Sequence, residues 1–318
     1  MNDPIYAEIE NRPRPTLFAA SGMILLAAIG LWVMELALSL LAPGAGMLAA
    51  NAVYYLPFML LPAAICMARR RGLSAALRLN PLPLLPALSA VLLGLLSVYA
   101  ASAAAAVWQG LLERLGLPAL GGVPVPDSPA ALMRSIVAMP ALPAVCEELL
   151  FRGFALAAWE TRGTAFAIGV TGALFALLHG NVTGLPAYLL VGAVAGYLVF
   201  ALDSLYAGIV YHTVYNAACL VIPYMMAGET DAAEAALAEG ISGGMAFVLA
   251  VEVLTVFALM AMLLFSLRAR AAAAGVRPIP RIRRPLSGRE RAMLAAAVGV
   301  MAVSNVIVAV LAGTGGGA

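Results

Sequence analysis

Glu147, Glu148 and Arg152 stand close together in an apolar stretch, and both histidines of the chain, His179 and His212, also fall in apolar runs. Charged and titratable groups cost several kcal/mol near the centre of a bilayer, so each must be paired, solvated or functional. Glu148 and Arg152 are four residues apart and share a helix face, which favours an ion pair. Glu147 points about 100° away around the same helix and is left free by that pair. His212 and Asn216 also have i,i+4 spacing, so both could donate hydrogen bonds to one oxygen. A free carboxylate, a histidine and a pair of donors are the groups a hydrolase needs to activate water and hold an oxyanion. The competing structural role of such residues is interhelical hydrogen bonding.

The elements that must position these groups are membrane helices. Of 318 residues, 64% are apolar and only 11% charged, against roughly 25% charged in a soluble domain. The apolar residues come in uninterrupted runs of about 20, the length that crosses a hydrocarbon core. The expected fold is all-α, a polytopic transmembrane bundle of about eight or nine spans. The nine candidates are 16–42, 47–68, 83–108, 129–159, 163–181, 185–202, 204–226, 245–267 and 292–312. Pro140 and Pro143 should break or kink the fourth span just before the glutamates. Residues 1–15 read as a polar cytoplasmic tail without the apolar core of a cleavable signal peptide. Residues 16–318 read as a single membrane domain.

All eighteen basic residues are arginines, a bias that points to a GC-rich bacterial genome and so to the inner membrane. Fifteen of them fall on one side if the N-terminus is cytoplasmic, and only Arg114 falls in an outer loop, as the positive-inside rule requires. Arg134 and Arg152 lie within a span and need another explanation. The Arg- and Pro-rich stretch 268–291 reads as a solvated cytoplasmic linker, and the acidic loop 227–243 as external. A net charge of +2, with arginines confined to loops, argues against a nucleic-acid partner. The bilayer itself is the expected surrounding. Cys66, Cys146 and Cys219 lie in apolar segments and read as buried thiols rather than a disulfide framework. Gly192 and Gly196 read as close-packing positions between helices.

Three motifs in order resemble the CPBP family of intramembrane proteases, which includes the type II CAAX prenyl endopeptidases and the bacterial Abi-type relatives. They are Glu147-Glu148-Leu149-Leu150-Phe151-Arg152, then Phe175 to His179, then His212 to Asn216. The resemblance covers about 129–226, the expected protease core. It implies an endopeptidase acting on membrane-associated proteins or peptides, with four residues at its centre. Glu147 would be the base that activates water, assisted by His179, while His212 and Asn216 would hold the oxyanion. Glu148 and Arg152 would form the supporting ion pair.

No cofactor is expected. The alternative within the same family is a zinc enzyme liganded by Glu147, His179 and His212, although the local HExxH pattern is absent. Two readings come from other classes. A proton-coupled transporter would use Glu35, Glu252 and the central glutamates as a relay. A non-enzymatic membrane scaffold would keep the polar cluster for structure. A thiol mechanism at Cys146 is disfavoured because Cys146 and Glu147 face different sides of a helix. Straight spans would place His179 and His212 toward opposite faces of the membrane. They can meet only if helices break or tilt, which Pro140, Pro143, Gly180, Gly184 and Pro186 permit.

Overall fold

The computed structural model describes residues 15–42, 51–55, 58, 62, 77–117, 125–136, 140–226, 243–276 and 285–315. Among these, every regular element is helical. That is the outcome the bilayer imposes on a single chain without a closed barrel, since each backbone polar group must be satisfied internally. The main helices are α1 (Leu17–Leu41), α2 (Leu84–Arg114), α3 (Pro129–Ile136), α4 (Leu142–Glu148), α5 (Thr164–Leu178), α6 (Leu185–Leu202), α7 (Leu205–Met225), α8 (Gly243–Ala273) and α9 (Gly288–Gly315). Between α4 and α5 the chain widens into a π-helix, Leu149–Leu156, and then tightens through Ala157–Trp159 into the 3₁₀ turn Glu160–Arg162.

Among the described residues, six helices are long and apolar enough to cross a membrane: α1, α2, α6 with its preceding turn, α7, α8 and α9. Of the expected single span over 129–159, α3 and the run of α4 with its π-helix are described, while 137–139 lie outside the described residues; Pro143 stands in the first turn of α4, where its missing N–H costs no hydrogen bond. The expected span over 163–181 is a helix of 15 residues, about 22 Å long at 1.5 Å per residue. The candidate span 47–68 lies mostly outside the described residues, as do the acidic loop 227–242 and positions 277–284 of the linker.

At the centre is α6, with 56% of its apolar window buried, packed against α5, α2 and α7. At the other extreme is α8, of whose window 6% is buried; it lies on α2 and α6 and turns the rest of its surface to lipid. α1 pairs with α9, and α9 reaches across to α5. The α1 helix starts on Thr16, whose hydroxyl accepts the Ala19 N–H at 3.1 Å, which satisfies one orphan donor of the first turn.

Polar side chains tie one end of the bundle together. Buried Arg78, itself left-handed at φ 55°, pairs with buried Glu160 and lies 3.5 Å from Asp203. Asp203 ends α6 in the left-handed region at φ 45°. Its carbonyl accepts Asn80 Nδ2 at 2.6 Å, and the Ser204 hydroxyl donates to the Asn80 carbonyl at 2.7 Å. Arg162 lies 3.6 Å from Glu290 of α9. Arg78 and Arg162, expected only as loop charges that orient the chain, are therefore also bundle ties. Within the bundle, Tyr99 of α2 donates to Glu252 of α8 at 2.8 Å, so Glu252 serves as an interhelical acceptor.

The two small residues on α6 have different duties. A Cβ added at Gly192 would stand 3.0 Å from the Gly172 Cα and 3.2 Å from the Phe175 ring, whereas one at Gly196 would meet its neighbours at 3.6 Å or more. Gly192→Ala should therefore push α5 from α6 and cost about 1–3 kcal/mol by overpacking. Gly196→Ala should be close to neutral. Thermal unfolding of the detergent-solubilised variants measures this, and equal midpoints for the two would refute the close approach.

Candidate active site

The polar residues come from α4 and its π-helix, the end of α5 and the middle of α7. Glu147 and Glu148 close α4, and Arg152 follows in the π-helix, a rare geometry that is concentrated at functional sites. Glu148 and Arg152 are both fully buried, and Arg152 Nη1 donates to Glu148 Oε1 at 2.7 Å. The second guanidinium arm donates to the Gly192 carbonyl of α6 at 2.7 Å. The face of the cation rests on the Phe175 ring, 4.6 Å from its centroid. A buried guanidinium thus has a carboxylate, a carbonyl and an aromatic face.

His212 of α7 is buried between the two glutamates. Its Nδ1 lies 3.1 Å from Glu148 Oε1 and its Nε2 lies 3.8 Å from Glu147 Oε2. Glu148 Oε1 is an acceptor already bound to Arg152, so Nδ1 carries the proton and Nε2 is the nitrogen turned to Glu147. At 3.8 Å the two atoms are too far apart for a direct hydrogen bond and too close for a water to stand between them, so a water touching both would sit beside the pair. Glu147 itself is 7% exposed, makes no ion pair with Arg152, and has the Tyr55 hydroxyl in hydrogen-bonding reach.

His179 caps α5. Its Nδ1–H donates to the Phe175 carbonyl at 2.8 Å, and its ring stacks on Tyr188 with centroids 4.0 Å apart. Glu147, His212 and Arg152 all lie within electrostatic range of it. The Phe175 ring separates the two imidazoles, 4.6 Å from His179 and 5.5 Å from His212. Asn216 is one turn beyond His212, and its amide reaches toward the Pro140 carbonyl at 3.5 Å. Arg152, His179 and His212 thus meet at Phe175, with both glutamates on His212, while the Asn216 amide points to the Pro140 carbonyl ahead of α4.

Three residues that sequence reasoning passed over hold the turn that carries His179. Reversal of the chain between α5 and α6 exposes backbone groups in an apolar setting, where each unsatisfied group is costly. Asn305 of α9 donates to the Leu177 carbonyl at 2.8 Å, and Trp108 of α2 donates to the Val182 carbonyl at 2.9 Å. The Asn181 side chain accepts from the backbone N–H groups of Thr183 and Gly184 at 3.0 and 3.2 Å. An Asn in an apolar span was a readable signal for Asn305; Trp108 carried none.

Gly208 of α7 faces Glu148 so closely that a Cβ there would stand 2.5 Å from Glu148 Oε2. Among the described residues, no group of three His, Cys, Asp or Glu side chains is placed to hold a metal ion. Arg134, the second intramembrane arginine, is exposed on α3. Cys146 and Cys219 are free thiols, and Cys146 packs in the hydrophobic core. Cys66 lies outside the described residues.

Residues 129–218 match the family model of Rce1-like type II CAAX prenyl endopeptidases. The matched segment runs from the first residue of α3 to two residues past Asn216, and so contains every one of the six motif residues. Comparison with curated proteins and with solved structures finds no match.

The Arg152 contacts generate a direct test. Arg152→Ala would leave Glu148 charged, buried and without its main partner, at a cost of about 3–5 kcal/mol. The expected result is poor accumulation and a lowered unfolding midpoint. A variant that melts like the unmodified protein would show that Glu148 does not depend on this cation.

Proposed function

From the match of residues 129–218 to the family model of Rce1-like type II CAAX prenyl endopeptidases, we propose that this integral membrane protein is an intramembrane endopeptidase of the glutamate type. It hydrolyses peptide bonds of membrane-associated proteins or peptides. The observation that supports the proposal is the placement of His212, with Nδ1 held by Glu148 and Nε2 turned to Glu147 at 3.8 Å, where a water beside the pair can touch both.

In this mechanism Glu147 accepts a proton from that water as it attacks the scissile carbonyl, and later delivers the proton to the leaving amine. His179 flanks the same water, with Nδ1 occupied by the Phe175 carbonyl and Nε2 left for hydrogen bonding. The carbonyl oxygen becomes an oxyanion, to which the Asn216 amide donates and beside which His212 lies. Asn216 must release the Pro140 carbonyl to do this, and its 3.5 Å contact there is long enough to yield readily. Glu148 and Arg152 act through His212 by fixing its ring. No metal takes part in this scheme. The transporter reading is weakened because Glu252 is engaged by Tyr99.

The arginine distribution supports an inner-membrane protein with a cytoplasmic N-terminus and a cytoplasmic 268–291 linker. Single cysteines introduced at Arg281 and Glu234 are expected to react with an impermeant reagent in intact cells only at 234. Labelling at 281 would reverse the orientation.

Glu147→Gln preserves shape and removes the base, so it should abolish cleavage of membrane peptides while the protein still folds. Asn216→Ala, which removes one oxyanion donor, should cut the rate roughly a hundred- to a thousandfold. The assay is the peptide profile of membranes carrying each variant. Unchanged cleavage with Glu147→Gln would overturn the glutamate mechanism.

A further inference from the structure

A cavity of about 710 Å³ lies beside His179, walled by α1, α9, Tyr54 and the end of α5. Its chemistry is not that of a lipid groove. Glu35 of α1 places a carboxylate in the wall, although a charge within a span is costly unless something compensates it. Two aromatic side chains, Trp32 and Tyr54, share that wall. The Trp32 indole is fixed by donating to the Ser304 hydroxyl at 3.0 Å, and Tyr54 lies in electrostatic range of Glu35. The carboxyl ends of helices also gather here. Ser39 is in the last turn of α1 and Leu177 and Leu178 are in the last turn of α5; all three line the cavity, with Leu311 near the end of α9. Such ends carry partial negative charge from the helix dipole, and at α5 the Leu177 carbonyl is itself satisfied by Asn305. Among the described residues, no arginine lines the cavity.

A carboxylate, two aromatic faces and several helix carboxyl ends form a setting for a cation. One carboxylate is too few for a hard metal ion, which takes six or more oxygen ligands. It does suit a long basic side chain whose stem packs on apolar walls and whose head meets the acid. We infer that this cavity is a substrate subsite for an arginine or lysine side chain near the scissile bond. The inference rests on the protease reading, because His179 belongs to both the cavity wall and the proposed catalytic group. Glu35 here determines specificity and takes no part in bond cleavage.

The test uses full-length Glu147→Gln protein in nanodiscs, which binds without cleaving, and fluorescent apolar peptides of about 20 residues, enough to span the bilayer. The peptides differ at one position, carrying Arg, Gln or Glu, each with a free or an acetylated N-terminus. The Arg peptide is expected to bind about tenfold more tightly than the Gln peptide, as for a partly desolvated ion pair. Adding Glu35→Gln should erase that advantage, and adding Glu35→Arg should transfer it to the Glu peptide. Equal binding of Arg and Gln peptides would overturn the subsite, as would an advantage that survives Glu35→Gln. An advantage that follows the free N-terminus rather than the Arg side chain would overturn the assignment to a side chain. Cleavage by protein retaining Glu147 is measured in parallel. Failure to cut any peptide, with the binding preference intact, would sink the protease reading and leave the cation subsite standing.

Discussion

The structure turns on one buried guanidinium. Arg152 is an uncommon residue to find wholly enclosed in a membrane bundle, and it is tolerated because three different elements meet on it. The carboxylate comes from α4, the carbonyl from α6 and the ring from α5. Each contact fixes a distance between elements. The Gly192 carbonyl can come within 2.7 Å only because neither Gly192 nor Gly172 carries a side chain. Glu148, once held by Arg152, holds His212 in turn, and Gly208 leaves the room for it. Removing the cation would therefore disturb a helix interface and a histidine together. The net value of such a buried pair for stability is small compared with the geometry it specifies.

The six motif residues were readable from the sequence because charge in an apolar run is conspicuous and because helical spacing converts directly into shared faces. The pairing of Glu148 with Arg152, and the separation of Glu147 from it, followed from that spacing alone. What lay beyond reach were partners far apart in the chain. Arg78 meets Glu160 across 82 residues and Trp108 meets Val182 across 74. Neither pairing leaves a trace in local pattern. The π-helix was also invisible, since an apolar run such as Leu149 to Leu156 has the same composition whether its turns are tight or wide.

Hydropathy judged spans by length and averaged over breaks. The stretch 129–159 is apolar enough to be read as one helix, yet within it the winding changes from α to π directly after the glutamates. Irregular backbone at membrane depth survives where side chains satisfy it. Asn181, Asn305 and Trp108 do so around the turn after α5. These residues explain how His179 and His212, expected at different depths, come to share one aromatic neighbour.

The brevity of α5 bears on the lipid around it. At about 22 Å it falls short of a hydrocarbon layer about 30 Å thick. Its polar cap, His179, is followed by Gly180, Asn181 and a reversal of the chain. Lipids bordering that end face a surface too short for their tails, and a bilayer answers such a deficit by thinning locally. The resulting dimple lowers headgroups and solvent toward the imidazole from one side. Hydration of the polar cluster then needs no pore through the whole membrane, and an extended peptide segment drawn to the dimple crosses less hydrocarbon before its backbone meets water.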